Sequence, residues 1–251
     1  MATPVVARES AHEVEPMDRR EFLRRCAAAS GAAALVQHAG SYAAATPHLY
    51  ARVVLTDVHG EPLRARSITA ETNYVFQYPY AATPCFLLRL TNAPPAVATL
   101  RRQDGATYGW PGGVGPDKCI VAFSAICAHK LAYPTRDVSF IRYQRDRLST
   151  SSGNVIHCCA DHSVYDPADG ARVVAGPAPQ PLAAIVLEYD AAKDTLAALG
   201  TVGAEQFDAF FQKYDYKLTL EYGNAARPRQ TVERTTVVRE LANYCRTTIQ
   251  C

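Results

Sequence analysis

The sequence has few Trp and Met residues, little net charge and, after residue 50, no long apolar run. It contains one Trp and two Met, and 26 Lys+Arg against 24 Asp+Glu leave a net charge of +2. A chain so close to neutrality lacks the concentrated positive charge of nucleic-acid-binding proteins, so we expect no nucleic-acid partner. After residue 50 it also lacks any apolar run long enough to span a bilayer. Because 48% of its residues are hydrophobic, it can still form a buried core, which excludes wholesale disorder.

Residues 1–45 have the composition of an export signal. Arg19 and Arg20 precede an uncharged, Ala-rich stretch that ends in three Ala at 43–45, a small-residue site typical of signal cleavage. This arrangement resembles a twin-arginine signal, which implies export of the folded, cofactor-loaded protein to the periplasm. The stretch is only weakly apolar, so we expect cleavage. Its retention as an inner-membrane anchor, with membrane association of the chain, remains the alternative.

Beyond residue 46 the chain has the pattern of short strands separated by turns containing Pro and Gly. Strands are predicted at His48–Leu55, Tyr74–Tyr78, Cys85–Leu90, Cys119–Phe123, Ser139–Tyr143, Asn154–His157, Ile185–Tyr189 and Thr231–Val238. One helix is predicted over 204–214, where Phe207, Phe210, Phe211 and Tyr214 recur at helical spacing. We therefore expect a mainly β fold, an antiparallel sandwich or barrel with one helix in the carboxyl-terminal region.

Two Cys-His pairs follow two of these strands. Cys127 and His129 form a Cys-x-His pair, and Cys159 and His162 form a Cys-x-x-His pair farther along the chain. Two thiolates and two imidazoles supplied by two loops can hold a zinc ion or an iron–sulfur cluster. These four residues are therefore candidate metal ligands.

The two pairs, together with the Gly-Pro-Ala-Pro run at 176–179, resemble the Rieske iron–sulfur proteins. The resemblance implies a Rieske-type antiparallel β domain at 46–200 with a small cluster-binding subdomain at about 119–182, followed by an extension at 201–251. It implies a 2Fe–2S cluster held by the four predicted ligands. It also implies that the hydroxyls of Ser163 and Tyr165 donate hydrogen bonds to sulfur atoms at the cluster, which raises its reduction potential.

The second pair can be aligned with the family in two registers. Cys159 with His162 keeps the usual spacing between the ligands and is preferred, because a neutral nitrogen donor is needed. Cys158 restores the family's spacing to Tyr165, but it puts Asp161 where the imidazole should be. Both registers remain open.

The disulfide that joins the two loops in respiratory Rieske proteins is absent, because Ala132 stands at one of the corresponding positions. Cys245 and Cys251 are candidates for a terminal disulfide instead, since the periplasm favours such bonds.

The resemblance implies one-electron transfer in a periplasmic or membrane-associated respiratory complex, with quinol oxidation as one expected activity. The chain would then be the electron-transfer subunit of an oxidoreductase. Expected partners are a redox protein, such as a cytochrome or a catalytic subunit, and quinol. Two alternatives are a small electron-transfer subunit of a periplasmic metalloenzyme and a Rieske-like interaction module without a cluster.

Overall fold

Short β-strands dominate the computed structural model, which describes residues 47–148 and 152–251. In chain order the strands are β1 His48–Thr56, β2 Tyr74–Gln77, β3 Pro84–Arg89, β4 Ala98–Arg101, β5 Thr107–Trp110, β6 Ile120–Ser124, β7 Val138–Ser139, β8 Ile141–Gln144, β9 Val155–Cys158, β10 Ser163–Asp166, β11 Arg172–Ala175, β12 Ala184–Asp190, β13 Thr195–Val202, β14 Arg234–Val237, β15 Arg239–Glu240 and β16 Thr247–Thr248. The helices are α1 Phe207–Tyr222 and α2 Leu241–Tyr244, and single 3-10 turns occur at Ala65–Ser67, Pro167–Asp169 and Arg227–Arg229.

The largest sheet has eight strands in the order β14-β1-β13-β12-β6-β3-β2-β15. Its neighbours pair antiparallel except for β1 with β14, which run parallel. Strand β3 is buried along nearly its whole length, from Pro84 to Leu88. Its alternate side chains enter two different clusters, Phe86 and Leu88 on one face and Cys85 and Leu87 on the other. The middle of this sheet is therefore covered on both faces.

A second sheet of four antiparallel strands, β11-β10-β9-β8, supplies the other side of one of these clusters. Ile141, Ile156 and Tyr165 from this sheet pack in the same cluster as Phe86 and Phe123 from the large sheet. The loops that follow β6 and β9 are consequently brought together at the edge of a shared core.

Helix α1 packs beside the loop that follows β6. Phe207, Phe210 and Phe211 lie in a third cluster with Ile126 and Leu131, which flank that loop. The amide Nε2 of Gln206, at the start of the helix, also donates to the carbonyl of Ala128 at 2.9 Å. The helix therefore fixes the position of the first loop.

The mainly β prediction and the helix near the carboxyl terminus are confirmed, with changed boundaries. The helix begins at Phe207 rather than residue 204, and it continues to Tyr222 instead of ending at residue 214. It ends at Gly223, which adopts the left-handed conformation that favours glycine, with φ of 70°. Strands β4, β5, β10, β11, β13, β15 and β16 were not predicted from the sequence.

Within the described residues, no helix has both the length and the apolar character needed to cross a membrane. The signal predicted over residues 1–45 lies outside the described residues.

Candidate metal centre

The first loop begins where β6 ends and presents Cys127 towards the core. It is closed by hydrogen bonds from the Cys127 N–H to the Ala132 carbonyl at 2.8 Å and from the Leu131 N–H to the Cys127 carbonyl at 3.0 Å. The Cys127 side chain is fully buried. His129, two residues later, lies at the surface with 36% of its side chain exposed. The Cys-x-His pair therefore spans the boundary between core and solvent.

The second loop connects β9 to β10 in a hairpin. Cys158 is paired with Ser163 across the hairpin, and the N–H of His162 donates to the carbonyl of Cys158 at 2.7 Å. Because alternate residues of a strand face opposite sides, Cys158 points the same way as Ile156, into the core. Ser163 and Tyr165 share that face, since they are two residues apart on β10.

The two loops bring two thiols and a carboxylate together. Ligand atoms of Cys127, Cys158 and Asp161 all lie within 4.8 Å of one another. Oδ2 of Asp161 is 3.4 Å from Sγ of Cys127 and 2.9 Å from Nδ1 of His129. Both thiols are fully buried, and the Asp161 side chain is only 2% exposed. These four side chains form what we call the thiol site.

Hydrogen bonds in the thiol site favour the thiolate of Cys127. The Cys158 thiol donates to it, and this bond, with the Tyr165 hydroxyl and backbone amides of the first loop, lowers the pKa of Cys127 to about 7 despite burial. The same interaction raises the pKa of Cys158 above its ordinary value, and burial raises it further. Cys127 therefore exists as both thiol and thiolate near neutral pH, and in its thiol form it donates to Oδ2 of Asp161 at 3.4 Å.

Asp161 is a buried carboxylate whose charge is stabilised locally. Burial alone would raise its pKa, but the N–H of Ser163 and hydrogen bonds from Cys158, Cys127 and His129 lower the pKa below its usual value. The Ser163 N–H donates to Oδ1 at 3.0 Å. The carboxylate is therefore ionised in the thiol site.

The hydroxyl of Tyr165 lies beside the thiolate. It accepts a hydrogen bond from the Ala128 N–H at 3.1 Å and lies 3.4 Å from Sγ of Cys127, so its own proton is available to that sulfur. Burial and the neighbouring Cys127 raise the pKa of Tyr165, which keeps the hydroxyl protonated. Oγ of Ser163 is buried and has no hydrogen-bond partner among the described residues.

The preferred register of the second pair does not fit this arrangement. Cys159 is not in the thiol site, because it forms a disulfide with Cys251. Consecutive residues at the end of a strand point to opposite sides, so only one of Cys158 and Cys159 can face Cys127. The structure places Cys158 there, in the register that also puts Asp161 at the position of the second imidazole.

His162 is likewise directed away from the thiol site. Its ring lies 5.9 Å from that of His157, and its ligand atoms group with those of His157 and Cys251. His157 is on the strand face opposite Cys158, which explains why this second group lies across the hairpin. Of the four predicted ligands, the structure brings Cys127 and His129 into the thiol site and leaves Cys159 and His162 outside it.

The disulfide differs from the terminal pair proposed from the sequence. Cys251 bonds to Cys159, which is 92 residues away, and Cys245 remains a buried free thiol with its Sγ 2.8 Å from the Thr135 carbonyl. Strand β16 pairs in parallel with β7, which brings Cys251 close to the hairpin. The disulfide therefore ties the second loop to the carboxyl-terminal segment rather than to the first loop.

The Gly-Pro-Ala-Pro run packs closely on the second loop. Gly176 has φ of +84°, and a Cβ built on it would lie 2.3 Å from the carbonyl oxygen of His162. Ala178 packs against the cluster that contains Cys127 and Cys158. This run therefore lies directly against the second loop.

Sequence reasoning missed Asp161 as a member of the site. The signal that could have found it was the spacing to Ser163 and Tyr165, which favoured Cys158 and put Asp161 at the place of the second imidazole. The need for a neutral nitrogen donor favours the other register, which leaves Asp161 out of the site.

The thiol site suits a metal or cluster whose ligands are thiolates. Two adjacent buried thiols, one with a pKa lowered to about 7, are the donor set that soft iron and zinc sites use. The buried, unpartnered Oγ of Ser163 is a further observation in favour, because a buried hydroxyl normally has a partner.

No family model matches the chain. Among solved structures, the chain is similar to the soluble domain of the Rieske protein II from Sulfolobus acidocaldarius. The two are 27% identical, the match covers 61% of this chain and 78% of that chain, and the TM-score is 0.42.

Proposed function

We propose that this protein binds a Rieske-like 2Fe–2S cluster at the thiol site and carries single electrons. The observation that supports it most is the pairing of Cys127 and Cys158, two fully buried thiols from separate loops whose ligand atoms lie within 4.8 Å of Asp161 and of each other. Buried thiols with no such neighbour, such as Cys85, need no function beyond packing.

The residues of the site are suited to binding metal. Ligands must be deprotonated to bind, and the pKa of Cys127, lowered to about 7, makes deprotonation of this thiol easy near neutral pH. His129 offers Nδ1 on the solvent side of the thiols. The Tyr165 hydroxyl lies 3.4 Å from Sγ of Cys127 and can donate to it, which would stabilise a more negative, reduced state. The buried Ser163 hydroxyl, opposite Cys158 in the hairpin and without a partner among the described residues, is free to donate to an added acceptor.

When bound, the cluster supplies a reversible one-electron acceptor. The protein would exclude water from the two thiols and leave the side of the site at His129 accessible to a partner. Cys127 and Cys158 are fully buried, whereas 36% of the His129 side chain is exposed. We infer that a redox partner contacts this protein at His129, because electron transfer requires a close approach.

The same proposal extends to the partner and the compartment. The partner would be a cytochrome or a catalytic subunit of a respiratory complex, with quinol oxidation as a further activity. Export by the twin-arginine route would place the protein in the periplasm, either free or held at the inner membrane. A small subunit of a periplasmic metalloenzyme would present the same site to a different partner.

A mononuclear zinc site is the second candidate. Oδ2 of Asp161 is 3.4 Å from Sγ of Cys127. Two such atoms bound to one tetrahedral zinc would be about 3.5 Å apart, given Zn–S and Zn–O bonds of about 2.3 and 2.0 Å. With Cys158 and His129, these residues provide the four donors that such an ion requires.

Metal analysis of the full chain tests both candidates. The protein would be expressed with iron supplied, purified anaerobically and assayed for iron, acid-labile sulfide and zinc, with EPR after dithionite reduction. We expect two irons and two sulfides per chain, an EPR signal from the reduced cluster, and loss of both in Cys127→Ser. Cys85→Ser, which alters a buried thiol outside the site, should keep them.

Three results would contradict the proposal. One zinc without sulfide would identify the second candidate. A folded wild-type protein without any metal would identify an interaction module that lacks a cluster. A cluster that survives in Cys127→Ser would place it elsewhere in the chain.

A further inference from the structure

We propose that the carboxylate of Asp161, rather than the imidazole of His162, is the fourth ligand of the cluster. This inference rests on the proposed function and gives the site two thiolates, one imidazole and one carboxylate. It differs from the ligand set implied by the family resemblance, in which both non-thiolate ligands are imidazoles.

The position of the carboxylate is the first reason. Oδ2 of Asp161 lies 2.9 Å from Nδ1 of His129. An oxygen and a nitrogen bound to one tetrahedral metal ion are about 3.3 Å apart, given bonds of about 2.0 Å to each. Asp161 and His129 are therefore close enough to bind one iron together, with Cys127 and Cys158 on the other. Oδ2 of Asp161, which lies 3.4 Å from Sγ of Cys127, would have to move away from that sulfur to make room for the two irons.

Burial is the second reason. The Asp161 side chain is 2% exposed, and a buried carboxylate needs a cationic partner, a set of donors or a metal ion. Oδ1 accepts from the Ser163 N–H at 3.0 Å, which fixes the carboxyl group in place. No Lys or Arg forms a salt bridge with Asp161 among the described residues, and the ring nitrogen in contact with it there is Nδ1 of His129, 2.9 Å away. A metal ion bound by Oδ2 would balance this buried charge.

The placement of His162 is the third reason. Its backbone adopts a positive φ of 60°, and its N–H is bonded to the Cys158 carbonyl. Its side chain then lies on the side of His157 and Cys251, away from the two thiols. For the imidazole of His162 to reach the thiol site, the backbone of the second loop would have to change conformation.

Three contacts oppose such a rearrangement. The Cys159–Cys251 disulfide fixes the residue after Cys158, and the Cys159 N–H donates to the Phe140 carbonyl at 2.6 Å. Gly176 lies so close to the His162 carbonyl that a Cβ atom on residue 176 would not fit. The loop is thus held in the conformation that presents Asp161.

The chemical consequence is a lower reduction potential. A carboxylate brings a negative charge that an imidazole does not, and negative charge at the cluster disfavours adding an electron. We expect the potential of this protein to lie below that of its Asp161→His variant.

Pulsed EPR of the reduced wild-type protein, with histidine labelled by ¹⁵N, counts the coordinated imidazoles. We expect one histidine nitrogen, assigned to His129 by its disappearance or change in His129→Gln. His162→Gln should leave both the spectrum and the potential unchanged. Asp161→His should show a second nitrogen and a higher potential, measured by redox titration.

Two coordinated nitrogens in wild type, one of them lost in His162→Gln, would overturn this assignment while leaving the proposed function intact. A wild-type protein that binds no cluster would overturn both. If Asp161→His fails to fold, the nitrogen count in wild type and in His162→Gln still decides between the two ligands.

Discussion

The hydroxyl of Tyr165 lies 3.4 Å from Sγ of Cys127, and an amide N–H from the same loop donates to that hydroxyl. The tyrosine is completely buried, so no water competes for its proton. The arrangement makes Tyr165 a fixed hydrogen-bond donor to the sulfur that carries negative charge.

Replacing Tyr165 with Phe should therefore lower the reduction potential of the bound cluster. A hydrogen bond that favours the reduced state by about 1 kcal/mol corresponds to about 40 mV for a one-electron couple. Redox titration followed by EPR would measure the shift. Tyr143→Phe is a suitable control, because its hydroxyl contacts Asn154 rather than the thiol site. An equal potential in Tyr165→Phe and wild type would reject this role.

The register of the second loop can be tested with serine at each of its neighbouring cysteines. Cys158→Ser should abolish cluster binding, because Cys158 faces Cys127. Cys159→Ser should bind the cluster and lose only the disulfide. Iron and sulfide contents of the two purified variants decide the matter. The opposite pattern would restore the register preferred from the sequence.

The disulfide between Cys159 and Cys251 should contribute substantially to stability, since it closes a loop of 92 residues. The chain-entropy relation gives an upper value of about 4.6 kcal/mol for a loop of that length, and measured values are often smaller. Urea denaturation of wild type and of the double variant Cys159→Ser/Cys251→Ser measures the difference in free energy of unfolding. Peptide mapping without reductant should recover the two cysteines linked, and recovery of Cys245 linked to Cys251 would contradict the structure.

The effect of the close contact between Gly176 and the His162 carbonyl can be measured separately from the effect of the positive φ at Gly176. Gly176 and Gly60 have nearly the same positive φ, +84° and +85°, but a Cβ at Gly60 would meet nothing within 4 Å. Gly60→Ala should therefore show only the cost of a strained backbone, about 1 kcal/mol. Gly176→Ala should lose more stability and also bind the cluster less tightly, because His162 and the second loop must move. Equal effects of the two variants on thermal unfolding would argue against the contact.

Helix α1 should be essential for holding the first loop. Phe210 of α1 is fully buried and packs against Tyr133, and the centroids of the two rings are 4.8 Å apart. Phe210→Ala should reduce the free energy of unfolding by about 3–5 kcal/mol, the usual cost for a buried aromatic side chain. Tyr216→Ala, on the exposed side of the same helix, should change it little, since 77% of Tyr216 is exposed. Chemical denaturation of both variants provides the comparison.

Much of the fold could be predicted because its signals are local. Runs rich in apolar, β-branched or aromatic residues identified strands such as β1 and β3, and the spacing of Phe207, Phe210 and Phe211 identified α1. Strands β10 and β11 were missed, although β8 and β9 of the same sheet were predicted, because their four-residue sequences alternate little in polarity. Their formation depends on pairing with β9, which is a tertiary property.

The sequence by itself determined the first half of the thiol site. Cys127 and His129 stand two residues apart after a strand, so they lie on one loop whatever the rest of the chain does. It also determined the spacing between Cys158 and Tyr165, whose side chains lie on the same face of the hairpin. It could not decide between Cys158 and Cys159, because neighbouring residues carry the same side chain and differ only in the direction they point.

Tertiary structure made that choice. The hairpin register turned Cys158 towards Cys127, and the pairing of β16 with β7 brought Cys251 to Cys159 from 92 residues away. The same register buried Asp161 beside the thiols and left His162 on the other side of the hairpin. Which ligands meet depends on the direction of side chains across paired strands and on contacts between distant segments, and neither is encoded in local spacing.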